Sequence, residues 1–142
     1  MNRSKHTGFP PNVLAGILIR DGNMCAMLGI PGCTGHVADE VNHRLNRGMG
    51  GSSAPHINSP ANGCAIEHHC NWALEAVAEF AEEGRRRGVK LEQGADPHTT
   101  PMWSPLYRQW VTFGIEGSMT LTGVEDPNLD ARQADVWLYY AR

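Results

Sequence analysis

One histidine and a series of asparagines carry the residue types in this chain most able to do chemistry. His43 lies in the run Glu40-Val41-Asn42-His43-Arg44, which is followed by Gly48-Met49-Gly50-Gly51, then Asn62, then Cys70-Asn71. An imidazole with an unperturbed pKa near ~6.5 can take a proton from water close to neutral pH. Asparagine amide oxygens suit a hard divalent cation, most simply Mg²⁺. Arg44 and Arg47 flank the histidine, where guanidinium groups would suit phosphate oxygens. Each residue also has a plainer reading: a histidine beside a loop is commonly a surface or hydrogen-bonded residue, Asn62 alone is a turn residue and Asn71 alone a helix cap. The ordered set raises the odds of a site.

The elements that must position these residues can be read from pattern. Val37 to Arg44 suits a short strand with Asn42 and His43 at its end. Residues 45–63 hold six glycines and prolines with several Ser and Asn, a loop composition, and a loop this long within a compact domain is usually functional or disordered. From Asn71 to Arg87 the pattern becomes helical, with Leu74, Val77, Phe80 and Ala81 on one face. Gly88 suits the left-handed residue that ends such a helix. Upstream, residues 1–12 read as a flexible tail, and 13–20 as a short helix or a buried strand. Downstream, Gln109 to Phe113 and Ser118 to Thr122 alternate as two strands of a hairpin. Residues 131–140 read as a closing helix or strand that docks Trp137.

In their order the residues around His43 resemble the HNH, or ββα-metal, nuclease motif: a histidine base on a strand, a glycine-rich loop, a positioning asparagine, and a metal ligand opening a helix. The resemblance covers roughly residues 12–90 and extends loosely into Trp103 to Val111. It implies an α+β fold, with a small ββα-metal core over 13–90 and a C-terminal β-hairpin extension over 91–142 packed on that core. The implied activity is metal-dependent hydrolysis of DNA phosphodiesters. His43 would be the general base, Asn62 would hydrogen-bond it or the nearby backbone, Asn42 and Asn71 would hold the catalytic divalent cation, and Arg44 and Arg47 would contact DNA. In the family a carboxylate or histidine often stands where Asn42 does, so Asn42 is a departure that Glu40 or Asp39 could offset. Adjacent residues on a regular strand also point to opposite faces, so Asn42 and His43 share a site only if the strand ends or bends there. The wording from Val41 to Gly51 is similar to HNH proteins of actinobacteria and their phages. That likeness implies DNA as partner and, for a phage protein, the host cytoplasm and an association with terminase or other packaging proteins. The alternative from another class is a catalytically weakened HNH-fold module that binds DNA or protein. A purely structural metal-knuckle protein is a third reading.

Many members of the family also carry two Cys-x-x-Cys knuckles on a structural zinc. The matching segments here are Cys25-Ala26-Met27-Leu28 and Glu67-His68-His69-Cys70, each short of one cysteine. A site built from Cys25, Cys33, Cys64 and Cys70 stands as one reading, with His68 or His69 as a mixed ligand. Loss of zinc, with the thiols packing as small hydrophobes, stands as the other.

Bulk properties fit one domain of modest core, since the chain has 142 residues. Its net charge is −3, with nine Lys/Arg against eight Asp/Glu up to residue 90 and three against seven beyond. This balance argues against a generally basic nucleic-acid binder, so the basic residues that meet DNA would be local. The apolar run Val13 to Ile19 is far short of the ~20 residues that a membrane span needs. No secretory leader is evident, so a cytoplasmic setting with reduced cysteines is expected.

Overall fold

The computed structural model describes residues 8–46 and 57–140, and its fold is mixed α+β. Pro11 opens helix α1, Pro11–Arg20, at the position where a missing N–H breaks no helical bond. The apolar run is therefore helix, and Ile17 is the residue it buries. Strand β1, Glu40–His43, pairs antiparallel with β2, Gly63–Ile66, so that Asn42 stands opposite Cys64 and His43 opposite Gly63. A 3-10 turn, Pro60–Asn62, leads into β2.

Helix α1 lies close on this hairpin because Gly63 has no side chain; a Cβ there would collide with Ile17 Cδ1. Arg20 and Asp21 fasten the contact. Arg20 donates to the Pro60 and Gly63 carbonyls at 2.9 and 2.7 Å, and Asp21 accepts from the Ala65 amide at 2.9 Å. The segment expected to be a loose tail is partly docked. Residues 1–7 lie outside the described residues, but Phe9 is buried, because its ring finds the His43 ring beside the helix start.

The helix expected over 71–87 is two helices, α2 (His68–Ala76) and α3 (Ala78–Arg87), separated at Val77, whose φ −119° and ψ 114° are extended. No glycine or proline marks the break. Its effect is a close crossing: a Cβ on Gly84 would lie 2.5 Å from Leu74 Cδ2. In one straight helix those two residues would sit about 15 Å apart along the axis. Gly88 then caps α3 with φ 77°, as its residue type predicts.

A second sheet follows in the order β3 (Met102–Ser104), β4 (Gln109–Phe113), β5 (Met119–Leu121), antiparallel throughout. The β4–β5 hairpin matches the alternation in the sequence, and β3 pairs with β4 on its other edge. The chain closes through a 3-10 turn and α4, Ala134–Tyr140, with the Trp137 ring 5.1 Å from that of Trp110. Ile66, Leu74, Phe80, Met102, Val111 and Phe113 share one core, so residues after 91 pack on those before. Among the described residues no helix is long and apolar enough to cross a membrane.

Candidate functional site

Strand β1, α1 and α2 border a cleft lined in part by Phe9, Leu14, Asn42, His43, Asn71 and Glu75. Strand β1 delivers His43, and one face of α2 delivers Asn71 and Glu75, four residues apart. Among the described residues, Asn58 and Phe9 hold the His43 ring. Its Nε2 lies 2.8 Å from Asn58 Oδ1, and Phe9 stacks on it with centroids 4.0 Å apart and planes 14° from parallel. With the amide oxygen as acceptor, a neutral ring carries its proton on Nε2 and its basic lone pair on Nδ1.

Asn71 donates through Nδ2 to Glu40 Oε1 at 2.8 Å, while Glu40 Oε2 lies 2.5 Å from His68 Nδ1. The hydrogen bond and charge of Glu40 raise the pKa of the exposed His68 ring. Asn71 Oδ1 is thereby the end of the amide able to act as a ligand. The Glu40 carboxylate stands on the Asn42 side of β1 and meets the Asn71 amide at the edge of the cleft, an oxygen pair of the hard type that suits a cation such as Mg²⁺.

Several residues stand apart from the roles expected of them. Asn42 donates to the Val89 carbonyl at 2.9 Å and contacts Cys64 Sγ at 3.7 Å. Asn42 lines the same cleft as His43, but its Nδ2 is spent on the Val89 carbonyl and the Cys64 sulfur. Asn62 takes the second of the two roles expected of it, bonding the nearby backbone. It is fully buried, accepting from the Leu45 amide at 2.7 Å and donating to the Leu45 and Ile57 carbonyls at 3.2 and 2.8 Å. It therefore pins both ends of the glycine-rich loop; Asn58 is the asparagine that orients the ring.

Arg44 is not a phosphate-facing residue. It is 0% exposed and donates to the carbonyls of Gly88, Ala61, Pro97, Thr100 and Pro101 at 2.7–3.3 Å. Burial lowers its pKa to about 10, which leaves it charged at neutral pH. Arg47 and Gly48 to Gly51 lie outside the described residues.

Of the four cysteines, three converge. The sulfurs of Cys25, Cys33 and Cys70 all lie within 4.8 Å of one another, close enough to bind a metal ion. Cys64 is elsewhere, buried on β2 against Asn42, and burial with the nearby Asp21 charge pushes its thiol up to about 12. Neither histidine of the second knuckle joins the thiols: His68 bonds Glu40, and the exposed His69 leans on Trp72. Burial raises the pKa of Cys25 and of Cys70, which keeps both as thiols until something displaces their protons.

Glu67, which stands where a knuckle cysteine is absent, takes a different part. Its carboxylate accepts from the Thr34 amide at 3.0 Å, the Thr34 hydroxyl at 2.6 Å, the His36 amide at 3.2 Å and the Cys70 thiol at 3.1 Å. Glu67 thereby fastens the segment just after Cys33 to the start of α2. Burial would raise its pKa, but these hydrogen bonds overcome that effect and bring it from 4.5 down to about 2. A depressed carboxyl stabilises the fold above its unfolded pKa, and that contribution is lost as pH falls from 4.5 towards 2. Glu67→Gln should therefore lower stability at pH 7 by up to about 3 kcal/mol, with the gap from wild type narrowing below pH 4.5. Urea unfolding at pH 7 and pH 3 checks this, and equal gaps at both would contradict it.

Comparison of the chain with protein-family models, with curated proteins and with solved structures finds no match. The site's description therefore rests on its own geometry. Sequence reasoning missed Asn58 and Phe9 as the holders of His43. The only signals available were an asparagine in a loop and an aromatic residue just before a Pro-Pro helix start.

Proposed function

We propose that this protein hydrolyses DNA phosphodiesters in a metal-dependent reaction of the HNH type, with His43 as general base. The observation that carries the reading is a held imidazole sharing one cleft with Asn71, on a hairpin followed directly by a helix. His43 takes a proton from the attacking water, Asn58 fixes the tautomer, and Phe9 fixes the ring plane. Glu40 and Asn71 would hold the divalent cation, which supplies positive charge for the phosphate oxygens. Arg47 remains the basic residue proposed to meet DNA. The three clustered cysteines are proposed as a structural zinc site, which their soft donor set suits.

A metal titration of cleavage tests the assignment of donors. Glu40→Gln and Asn71→Ala should each raise the Mg²⁺ concentration for half-maximal cleavage by about tenfold or more. Asn42→Asp should not lower it; instead it sets a carboxylate against the Val89 carbonyl and should destabilise the fold by about 2 kcal/mol. An unchanged Mg²⁺ requirement in Glu40→Gln and Asn71→Ala would move the cation elsewhere, and a lowered one in Asn42→Asp would restore Asn42 as a ligand.

A second reading, a binding module that has lost catalysis, is favoured by the commitment of Asn42, which leaves Glu40 as the charged donor beside Asn71. It predicts duplex binding in Ca²⁺ with no cleavage in any divalent metal.

A further inference from the structure

Arg87 is a buried charge that the His43 cleft does not use. It is the last residue of α3, is 6% exposed, and donates through Nη1 to the Ala26 carbonyl at 2.8 Å. Its Nε is buried without a hydrogen-bond partner. Glu83, one turn earlier, is bonded to Arg86 at 2.7 Å. A guanidinium buried without a compensating anion is unfavourable, so its surroundings must account for it.

Those surroundings are the thiol cluster. Ala26, whose carbonyl Arg87 grips, follows Cys25 directly. Gly29, in the turn between Cys25 and Cys33, would bring a Cβ to 3.8 Å from Arg87 Nη2. The Glu83 charge acts on the guanidinium, and charge on Cys25 and Cys33 would act on it less strongly. The nearest carboxylate to the cluster, Glu67, already accepts from Thr34, His36 and Cys70. The Glu83 carboxylate is shared with Arg86, so the further negative charge open to Arg87 is one that arises on the thiols.

We propose that Arg87 is the built-in counter-charge of a thiolate metal centre at Cys25, Cys33 and Cys70 that takes a thiophilic divalent ion of the zinc class. The inference rests on the zinc reading of these cysteines. Binding exchanges three S–H bonds for three sulfur–metal bonds and releases three protons to solvent. Three thiolates and one divalent ion sum to −1, which the Arg87 guanidinium offsets; the Glu67 carboxylate is charged with or without metal and stays on its Thr34 and His36 donors. Without metal, the same guanidinium faces neutral thiols, and its orphaned Nε marks the mismatch.

The test is titration of metal-stripped, full-length protein with Co²⁺, read by thiolate-to-cobalt absorption, and with Zn²⁺ in competition with a chromophoric chelator. Wild type should take one equivalent with thiolate bands, and Cys25→Ser/Cys70→Ser should lose them. Arg87→Met should bind at least about tenfold more weakly, while Arg87→Lys, which keeps the charge, stays close to wild type. The melting temperature of metal-free Arg87→Met should equal or exceed that of wild type, because the uncompensated charge is gone. Arg87→Gln is the second variant should the methionine protein not fold, with the same loss of affinity expected. Unchanged affinity in the charge-removing variant overturns the role of Arg87 and leaves the metal site standing; a lowered metal-free melting temperature beside it would identify a mere prop for Ala26. Absence of thiolate bands in wild type overturns the zinc reading and this proposal together.

Discussion

Replacing Arg44 with methionine should leave the protein unable to fold cooperatively. One fully buried side chain donates to the carbonyls of Ala61, Gly88, Pro97, Thr100 and Pro101. Those acceptors come from three separate stretches: the turn before β2, the cap of α3, and the proline-rich segment leading to β3. Removing the donor would strand several of them, at about 1–3 kcal/mol for each buried group left unsatisfied. The total exceeds about 5 kcal/mol, comparable to the whole stability of a small domain. Arg44→Lys should also be severely destabilised, because a single ammonium cannot reproduce the planar fork. Thermal and urea unfolding followed by circular dichroism check both variants, and a wild-type midpoint for either would contradict this account. The same geometry removes Arg44 from the residues expected to contact DNA.

His43→Ala should lower divalent-dependent cleavage by about 10²–10⁴-fold, the usual contribution of a general base. The histidine is only half-buried at the end of β1, so the fold should survive its removal, as an unchanged urea midpoint would verify. Asn58→Ala should lose part of the same factor, because it frees the ring without deleting the base. Asn62→Ala should behave differently. Its amide bonds backbone at Leu45 and Ile57, so its loss should appear first as lowered stability. Wild-type cleavage by His43→Ala would remove His43 from the reaction.

The residue types around His43 made part of this site legible before any geometry. A strand ending at the histidine and a helix carrying Asn71 were readable, because pattern agrees there with the fold, while the glycine-rich stretch lies outside the described residues. Other features turned on contacts distant in sequence. Arg44 looks like a phosphate ligand until five carbonyls close around it, and nothing local announces that burial. Asn58 and Asn62 are equivalent as residue types, and only the packing of the loop ends decides which meets the imidazole. The break at Val77 follows from the crossing of Leu74 and Gly84, not from any residue that ends helices. Strand β2 is four buried residues, Gly-Cys-Ala-Ile, too short to declare a period. Among the cysteines, spacing suggested four and the fold gathers three, since Cys64 is carried into the hairpin opposite Asn42.

Conversion of supercoiled plasmid by metal-stripped wild-type protein, on addition of Mg²⁺ or Mn²⁺ and with EDTA as control, tests the central claim most directly. The account predicts nicked or linear product in the divalent metals and none in EDTA. A folded protein that binds duplex DNA in Ca²⁺ yet leaves the plasmid supercoiled in every divalent metal would contradict it.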